Sequence, residues 1–358
     1  MDTLSHDHGL HRAQHPLYKN SRHWRNNSEV VMIAVTGAAG FVGVNLLHEL
    51  ARRGEQAIGF DLGAPRQAVQ TSLEVFPTPP RFETLDVCDP AAVERAFMRC
   101  RPDIVIHAAA ITASATRERS QATQVVAVNV AGTQSVLDAC AQAEVRRIVY
   151  VSSGAIYGRA TFGATALDEH TVVEPSSLYG ITKQASEQLV RRHHELHGTE
   201  IIIARLSALF GTWEQQTSVR DFMSPMRQVA MAASRGESIR YLADKPRNWI
   251  SGSDAAHAVV ELAMRERLVH DCFNVCPTER FGLDRCLDVI RQRRPSVDAA
   301  VVDDPDQATL TYDADPRQQR AIVVADRLID VLGDSWWTPP DISIDAYLSW
   351  LDQVPDWV

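Results

Sequence analysis

From residue 30 onward, short β-branched and aliphatic runs alternate with longer stretches whose apolar positions recur at helical spacing. Residues 30–36 read as a buried strand. Residues 41–53 carry a helical period that stops at Gly54, and 56–61 and 82–86 read as further strands. A helix is expected over 90–99, a strand over 103–107, a long helix over 123–143, a strand over 147–152, a helix over 178–197 and a strand over 200–205. Strands that alternate with helices pair in parallel through right-handed crossovers, so the pattern predicts an α/β fold with a doubly wound parallel sheet. After Arg205 the alternation weakens into turn-rich stretches and isolated helices. The expected division is a sheet domain over 30–205 and a smaller C-terminal substrate-binding lobe over 206–358, with some segments returning to the sheet domain.

Residues 1–29 break the pattern, being rich in Arg, Asn, Ser and His, among them His6, His8, His11, His15 and His23. That composition reads as a solvated, disordered extension, with a metal-binding tract as the sharper alternative. Met32 directly precedes the first strand, so translation from Met1 or from Met32 both stay open; the mass of the natively expressed protein decides. The whole chain of 358 residues is 45% hydrophobic and 23% charged, ordinary for a globular protein. Its net charge of −9 argues against nucleic acid as a partner. No run has the apolar length of a membrane span, and the first residues lack the apolar core of a signal peptide. Cys88, Cys100, Cys140, Cys272, Cys276 and Cys286 are scattered. Only Cys272 and Cys276 are close, without a second pair or a His at metal spacing. Reduced thiols in a cytoplasm, and no metal, are the expectation.

Between the first strand and the first helix runs Thr36-Gly37-Ala38-Ala39-Gly40-Phe41-Val42-Gly43. In this G-x-x-G-x-x-G spacing Gly37 permits a tight turn, Gly40 lets backbone approach a pyrophosphate, and Gly43 lets the helix pack on the strand. The helix N-terminus adds free N–H groups for phosphate. Asp61 ends the next strand, where a carboxylate accepts both hydroxyls of an adenosine ribose and repels a 2′-phosphate. That favours NAD over NADP, although Arg66 nearby keeps NADP open.

Tyr179 and Lys183 stand four residues apart at the start of the helix over 178–197, hence on one face. An ammonium beside a phenol stabilises the phenolate and makes the tyrosine a usable acid/base. The chain has only three lysines (Lys19, Lys183, Lys245) and otherwise uses Arg, which makes the choice at 183 informative. Ser152 and Ser153 run off the end of a strand, where groups line the ligand crevice of a doubly wound sheet. A plain turn is the competing reading for both serines, and a surface pair for the Tyr and Lys.

Taken in order, the glycine turn, Asp86-Val87, His107-Ala108-Ala109-Ala110, Asn129-Val130-Ala131-Gly132-Thr133, the serine turn and the Tyr–Lys helix resemble an extended short-chain dehydrogenase/reductase over about residues 32–265. This is the group of sugar-nucleotide 4-epimerases, dehydratases and reductases. The resemblance implies a Rossmann fold and an NAD cofactor. It implies that Phe41 and Val42 lie over the pyrophosphate, that Asp86 and Val87 contact adenine, and that Ala108, Ala109 and Ala110 wall the nicotinamide ribose. It places Asn129 near the cofactor, makes Ser153 the catalytic hydroxyl beside Tyr179, and has Lys183 also hold the ribose. Arg247, in Arg247-Asn248-Trp249-Ile250-Ser251-Gly252-Ser253-Asp254, resembles a substrate diphosphate contact. Arg317 or Arg320 lies near the place of a second one.

Two departures bear on the reaction. Dehydratases of this group carry Asp-Glu directly after the catalytic hydroxyl, whereas this chain has Gly154-Ala155. Epimerases usually carry an Asn where Ala208 stands. The readings are therefore a nucleotide-sugar epimerase with Tyr179 as acid/base, a dehydrogenase or reductase of a free sugar, sugar acid or small alcohol, and, more remotely, a non-catalytic NAD sensor. The resemblance also implies a homodimer through the helices expected over 123–143 and 178–197.

Overall fold

A computed structural model describes residues 31–243, 245–311 and 320–354. The N-terminal extension and Arg317 lie outside the described residues. Seven strands form the central sheet: β1 (Met32–Thr36), β2 (Gln56–Asp61), β3 (Arg81–Thr84), β4 (Ile104–His107), β5 (Arg147–Ser153), β6 (Glu200–Leu206) and β7 (Cys272–Val275). All pairings are parallel and the spatial order is β7-β6-β5-β4-β1-β2-β3. The order reverses between β1 and β4, which opens the crevice of a Rossmann-type fold at the carboxyl ends of those two strands.

The strands are apolar on both faces because helices cover both, so they read as continuous rather than alternating runs. On one face α1 (Phe41–Arg52) packs beside α7 (Gly252–Met264), with Leu46, Leu50, Val259 and Leu262 buried on Val35, Ile106 and Val149. On the other, α3 (Pro90–Cys100), α5 (Gly132–Gln142) and α6 (Leu178–His197) cover Ala34, Ile58, Val105 and Ile148. The buried imidazole of His107 ties β4 to its neighbours, with Nδ1 2.6 Å from Thr36 Oγ1 and Nε2 3.0 Å from Thr133 Oγ1. Burial pushes its pKa down to about 3, so the ring is neutral.

Several boundaries differ from the sequence reading. The helix expected over 123–143 begins at Ala115, capped by Ser114 Oγ, which accepts from Arg117 N at 3.2 Å. This α4 (Ala115–Val126) passes through a π-helical turn at Ala127–Ala131 directly into α5. Its first two turns carry no apolar stripe, and Val125 is its one buried residue, so nothing periodic marks them. The third strand ends at Thr84, which leaves Asp86 in the following turn. A short helix, α2 (Gln67–Glu74), was not legible, since it buries only Val69 and Leu73.

Within 206–358, α7 and β7 belong to the central sheet and its cover. A separate apolar cluster, including Phe210, Met226, Val229, Trp249, Leu287 and Tyr347, forms the core of the lobe. There Ala208–Phe210 pairs with Trp249–Ser251 in parallel, above the carboxyl ends of the main strands.

Candidate active site

A cavity of about 590 Å³ lies at that crevice. Gly37, Gly40, Phe41, Val42 and Gly43 line one side, Ala108, Ala110, Thr112, Ser153, Tyr179 and Lys183 the floor, and Arg220, Arg247 and Trp249 the lobe side.

The glycine turn is dictated by space as well as by φ. Gly37 has φ +70°, and a Cβ there would stand 2.6 Å from Ala109 N. At Gly43 a Cβ would meet the Gly37 carbonyl oxygen at 2.1 Å, so helix and turn approach only because both positions are glycine. Asp61 stands beside the turn. Its Oδ2 accepts from Ala39 N at 2.9 Å and its Oδ1 from Leu62 N at 2.7 Å. Each oxygen keeps a lone pair for a ribose hydroxyl. Burial pushes the Asp61 carboxyl above its ordinary value, against those two hydrogen bonds. Arg66 is exposed at the start of α2.

Tyr179 and Lys183 share the cavity face of α6, whose N-terminus is capped by Ser177 Oγ accepting from Gly180 N at 3.1 Å. Ser153 and Thr112 line the cavity with Tyr179, and their hydroxyls favour its ionised form. Ser153 Oγ also accepts from Ala155 N at 3.1 Å and so caps the turn after β5. Lys183 is 2% exposed and its Nζ donates to the Val151 carbonyl at 2.6 Å. That Nζ lies 5.7 Å from the Tyr179 ring centre and 4.8 Å from that of Tyr150. The charge thus sits beside the ring.

The phenol pKa is raised by burial, opposed by Ser153, Thr112 and Arg220, rather than lowered as the pairing with Lys183 suggested. Burial also pushes Lys183 down to about 7, against the partial support of Glu187 one turn along. The unfolded lysine titrates near 10.4, so between about pH 7 and 10.4 the unfolded chain binds the extra proton. Stability from this group therefore rises with pH across that window, by up to about 1.4 kcal/mol per pH unit, and its cost is fully present below pH 7. Lys183→Met is accordingly expected to raise the stability of the NAD-free protein most at pH 6.5 and least at pH 9, in urea titrations beside the parent. A pH-independent difference would remove the buried ammonium from the argument.

Other expected contacts lie elsewhere. Asn129 is buried behind the cavity floor: its Oδ1 accepts from Ile111 N at 2.7 Å, and its Nδ2 donates to Ile111 O and Thr182 Oγ1, both at 3.0 Å. It fixes the floor to α6, with both Nδ2 protons used and Oδ1 accepting once. Asp86 is exposed, with Oδ1 accepting from Cys88 N at 2.8 Å, and Val87 packs against Gly132 under α5; neither lines the cavity. Ala109 contributes its backbone against Gly37. Arg320 lies over the Phe162 ring at 5.1 Å, outside the cavity.

The sequence reading gave no role to Thr112, Ser207, Gln215 and Arg220, all of which line the cavity. Three lining side chains bury a polar atom without a protein partner: Ser207 Oγ, Gln215 Oε1 and Trp249 Nε1. Buried polar groups are costly when unmatched, so these mark where a polar ligand docks. Among the described residues no Asp or Glu lines the cavity, while Lys183, Arg220 and Arg247 do. Neither a metal-holding cluster nor a helix long and apolar enough to cross a membrane occurs among the described residues.

A glycine turn at the switch point of a parallel sheet, sharing a cavity with a Tyr–Lys helix, defines a dinucleotide-dependent enzyme on a Rossmann-type fold. The family model of the NAD dependent epimerase/dehydratase family matches residues 33–276, and the chain belongs to that family. It is 24% identical over 342 residues to a dTDP-glucose 4,6-dehydratase of Neisseria gonorrhoeae, covering 91% of this chain and 94% of that protein. Its match to the dTDP-glucose 4,6-dehydratase of Haemophilus influenzae, at 29% identity, spans 57% of that protein's length. Among solved structures it resembles UDP-glucuronic acid 4-epimerase from Bacillus cereus in complex with UDP-glucuronic acid and NAD. The TM-score is 0.75 at 19% identity, covering 90% of this chain and 100% of that one.

NAD is the cofactor of the family, and the residues present fit it: the turn is closed to a Cβ at Gly37 and at Gly43, and the Asp61 carboxylate is fixed beside it. Because a 2′-phosphate would face that carboxylate in a confined site, NAD is expected to bind about 10²-fold more tightly than NADP. Calorimetric titration with both checks this, and equal affinities would sink the role of Asp61.

Proposed function

We propose that the protein is a nucleotide-sugar epimerase, with Tyr179 as the acid/base that takes and returns the proton of a sugar hydroxyl. NAD, when bound, supplies a reversible hydride acceptor. Ser153 and Thr112 hold the tyrosine hydroxyl and the substrate oxygen beside it, Lys183 fixes the cofactor ribose, and Arg247 faces the substrate diphosphate. Gly37, Gly40, Phe41, Val42 and Gly43 receive the cofactor pyrophosphate, and Asp61 its adenosine ribose.

The observation that carries this reading is the lining of the cavity: hydroxyls, orphaned polar atoms and cations, with no carboxylate among the described residues. Eliminating water from a sugar calls for an acid at the leaving hydroxyl as well as a base at carbon. Gly154 and Ala155 offer no such acid. This argues against carrying over the dehydratase activity for which relatives of the chain are named. Ala208 favours a second reading, a dehydrogenase of a free sugar or sugar acid, because it offers no amide to a nucleotide-linked substrate.

The deciding experiment incubates the enzyme with UDP-glucose, UDP-glucuronate and dTDP-glucose in D₂O and follows products by NMR and absorbance at 340 nm. An epimer without net NADH and without deuterium on carbon supports the epimerase. A deoxy keto-sugar carrying solvent deuterium replaces it with a dehydratase, and stoichiometric NADH with the dehydrogenase.

A homodimer is part of the proposal, with α4, α5 and α6 of each copy forming a two-fold contact. Val126 and Ile181, on those helices, are exposed apolar residues at 41% and 49%. Light scattering is expected to give twice the chain mass, and a monomer mass at micromolar concentration would contradict it.

A further inference from the structure

Residues 211–224, which follow the last strand that periodicity revealed, cross the mouth of the cavity as a strap. One end is held on α1, where Asn45 Nδ2 donates to the Thr212 carbonyl at 3.1 Å. Next, Gln215 Nε2 donates to the Ala39 carbonyl of the glycine turn at 3.4 Å. That bond orients the amide and leaves Oε1 buried without a partner, on a side chain that is 6% exposed and lines the cavity. Arg220 then lays its guanidinium over the Phe41 ring, 4.9 Å from the centre. Its Nη2 donates to Glu214 at 2.7 Å and its Nε to the Phe222 carbonyl at 2.9 Å. Glu214 is completely buried, so the guanidinium is fixed rather than trailing in solvent.

The far end is fastened across the crevice. Asp221 pairs with Arg117 of α4 at 2.6 Å and accepts from Ser114 N at 2.8 Å, while Thr112 N donates to the Val219 carbonyl at 2.8 Å. The strap therefore bridges the segment after β1 and the segment after β4, the two sides of the switch-point crevice.

We propose that this strap is a latch over the cofactor, in which Arg220 binds the diphosphate of NAD and the Arg117–Asp221 ion pair holds the latch shut. The guanidinium stands against Phe41, at the end of the cavity lined by the glycine turn, held from behind by the buried Glu214 carboxylate, and among the described residues no Asp or Glu lines the cavity itself. With Nε on the Phe222 carbonyl and Nη2 on Glu214, Nη1 is the guanidinium nitrogen left to donate to a phosphate oxygen. Gln215 Oε1 is an acceptor and takes a ligand hydroxyl, of the kind a ribose carries next to a diphosphate. Arg117 holds the Asp221 carboxyl down to about 2, so the fastening is charged throughout the neutral range. The inference goes beyond the epimerase reading and holds for any sugar reaction at this site.

Ligand binding by the full chain tests it, read by NADH fluorescence and by displacement with ADP-ribose, adenosine and UDP. Arg220→Gln is expected to weaken NADH and ADP-ribose by about 10–100-fold, as for a lost charge-assisted hydrogen bond, and to leave adenosine within about twofold. Asp221→Asn keeps Arg220 but loosens its anchor, and NADH chased by excess NAD should leave about tenfold faster. Unchanged ADP-ribose affinity in Arg220→Gln overturns the assignment. Weakened UDP with intact ADP-ribose binding overturns it equally, by giving Arg220 to the substrate. Should Arg220→Gln fail to fold, Arg220→Lys keeps the charge without the guanidinium and should still weaken ADP-ribose. Unaltered NADH release from Asp221→Asn removes the latch. None of these outcomes depends on which sugar is turned over.

Discussion

Tyr179→Phe is expected to lower turnover by about 10²–10⁴-fold, the range for losing a positioned acid/base. The substitution removes one oxygen and keeps the ring, so α6 and its contacts stay as they are. What is lost is the phenol oxygen, the atom proposed to exchange the proton, in the cavity it shares with Ser153 and Thr112. NAD affinity should barely change, because the phenol is not a main anchor of the cofactor, whose assigned contacts are the glycine turn, Asp61, Lys183 and the strap residues. A binding titration beside steady-state rates therefore separates the two effects. Turnover retained in Tyr179→Phe, on a substrate the parent converts, would take Tyr179 out of the mechanism and revive the reading of a binding protein without chemistry.

Arg205→Met is expected to destabilise the fold by about 3–5 kcal/mol, the usual cost of stranding one partner of a buried ion pair. Glu187 is 1% exposed, and Arg205 contacts it twice, with Nε on Oε1 at 2.9 Å and Nη2 on Oε2 at 2.8 Å. Ser152 Oγ donates to the same carboxylate at 2.7 Å, and Arg205 Nη1 to the Tyr157 hydroxyl at 3.2 Å. The remaining nearby cation, Arg191, stands off at 3.8 Å and cannot replace the two lost bonds. Because an apolar pair of similar volume is often as stable as a buried ion pair, Arg205→Met/Glu187→Leu should recover much of the loss. Denaturant midpoints of the two variants check this; a single variant as stable as the parent would show that water or Arg191 satisfies Glu187.

Much of the sheet was legible because its strands are short apolar runs and its helices strongly amphipathic, and both signals are local. The glycine turn was legible for the same reason: three glycines in eight residues at a strand–helix junction leave little else for the backbone to do. Tyr179 and Lys183 were readable as a pair since helical spacing alone puts them on one face. What that spacing could not give is the direction of the Tyr179 shift. It depends on how deeply α6 is buried and on Thr112, which is 67 residues away in the chain. Resemblance likewise placed Asn129 near the cofactor, but only the packing of α6 on the turn after β4 shows its amide tied to Ile111 and Thr182.

The sequence by itself determined the parallel α/β order, the dinucleotide turn with Asp61 beside it, and the Tyr–Lys face, because each is written in residues close along the chain. The tertiary structure decided the rest of the site. The strap has no hydrophobic period, and its course is set by pairings with residues such as Ala39, Asn45 and Arg117, brought near by the fold of the sheet. Thr112, Gln215 and Arg220 thus reach one cavity through long-range contacts, which leave no mark on local composition. That no Asp or Glu among the described residues lines the cavity of Tyr179 is likewise a property of the enclosed surface, and of no single segment that forms it.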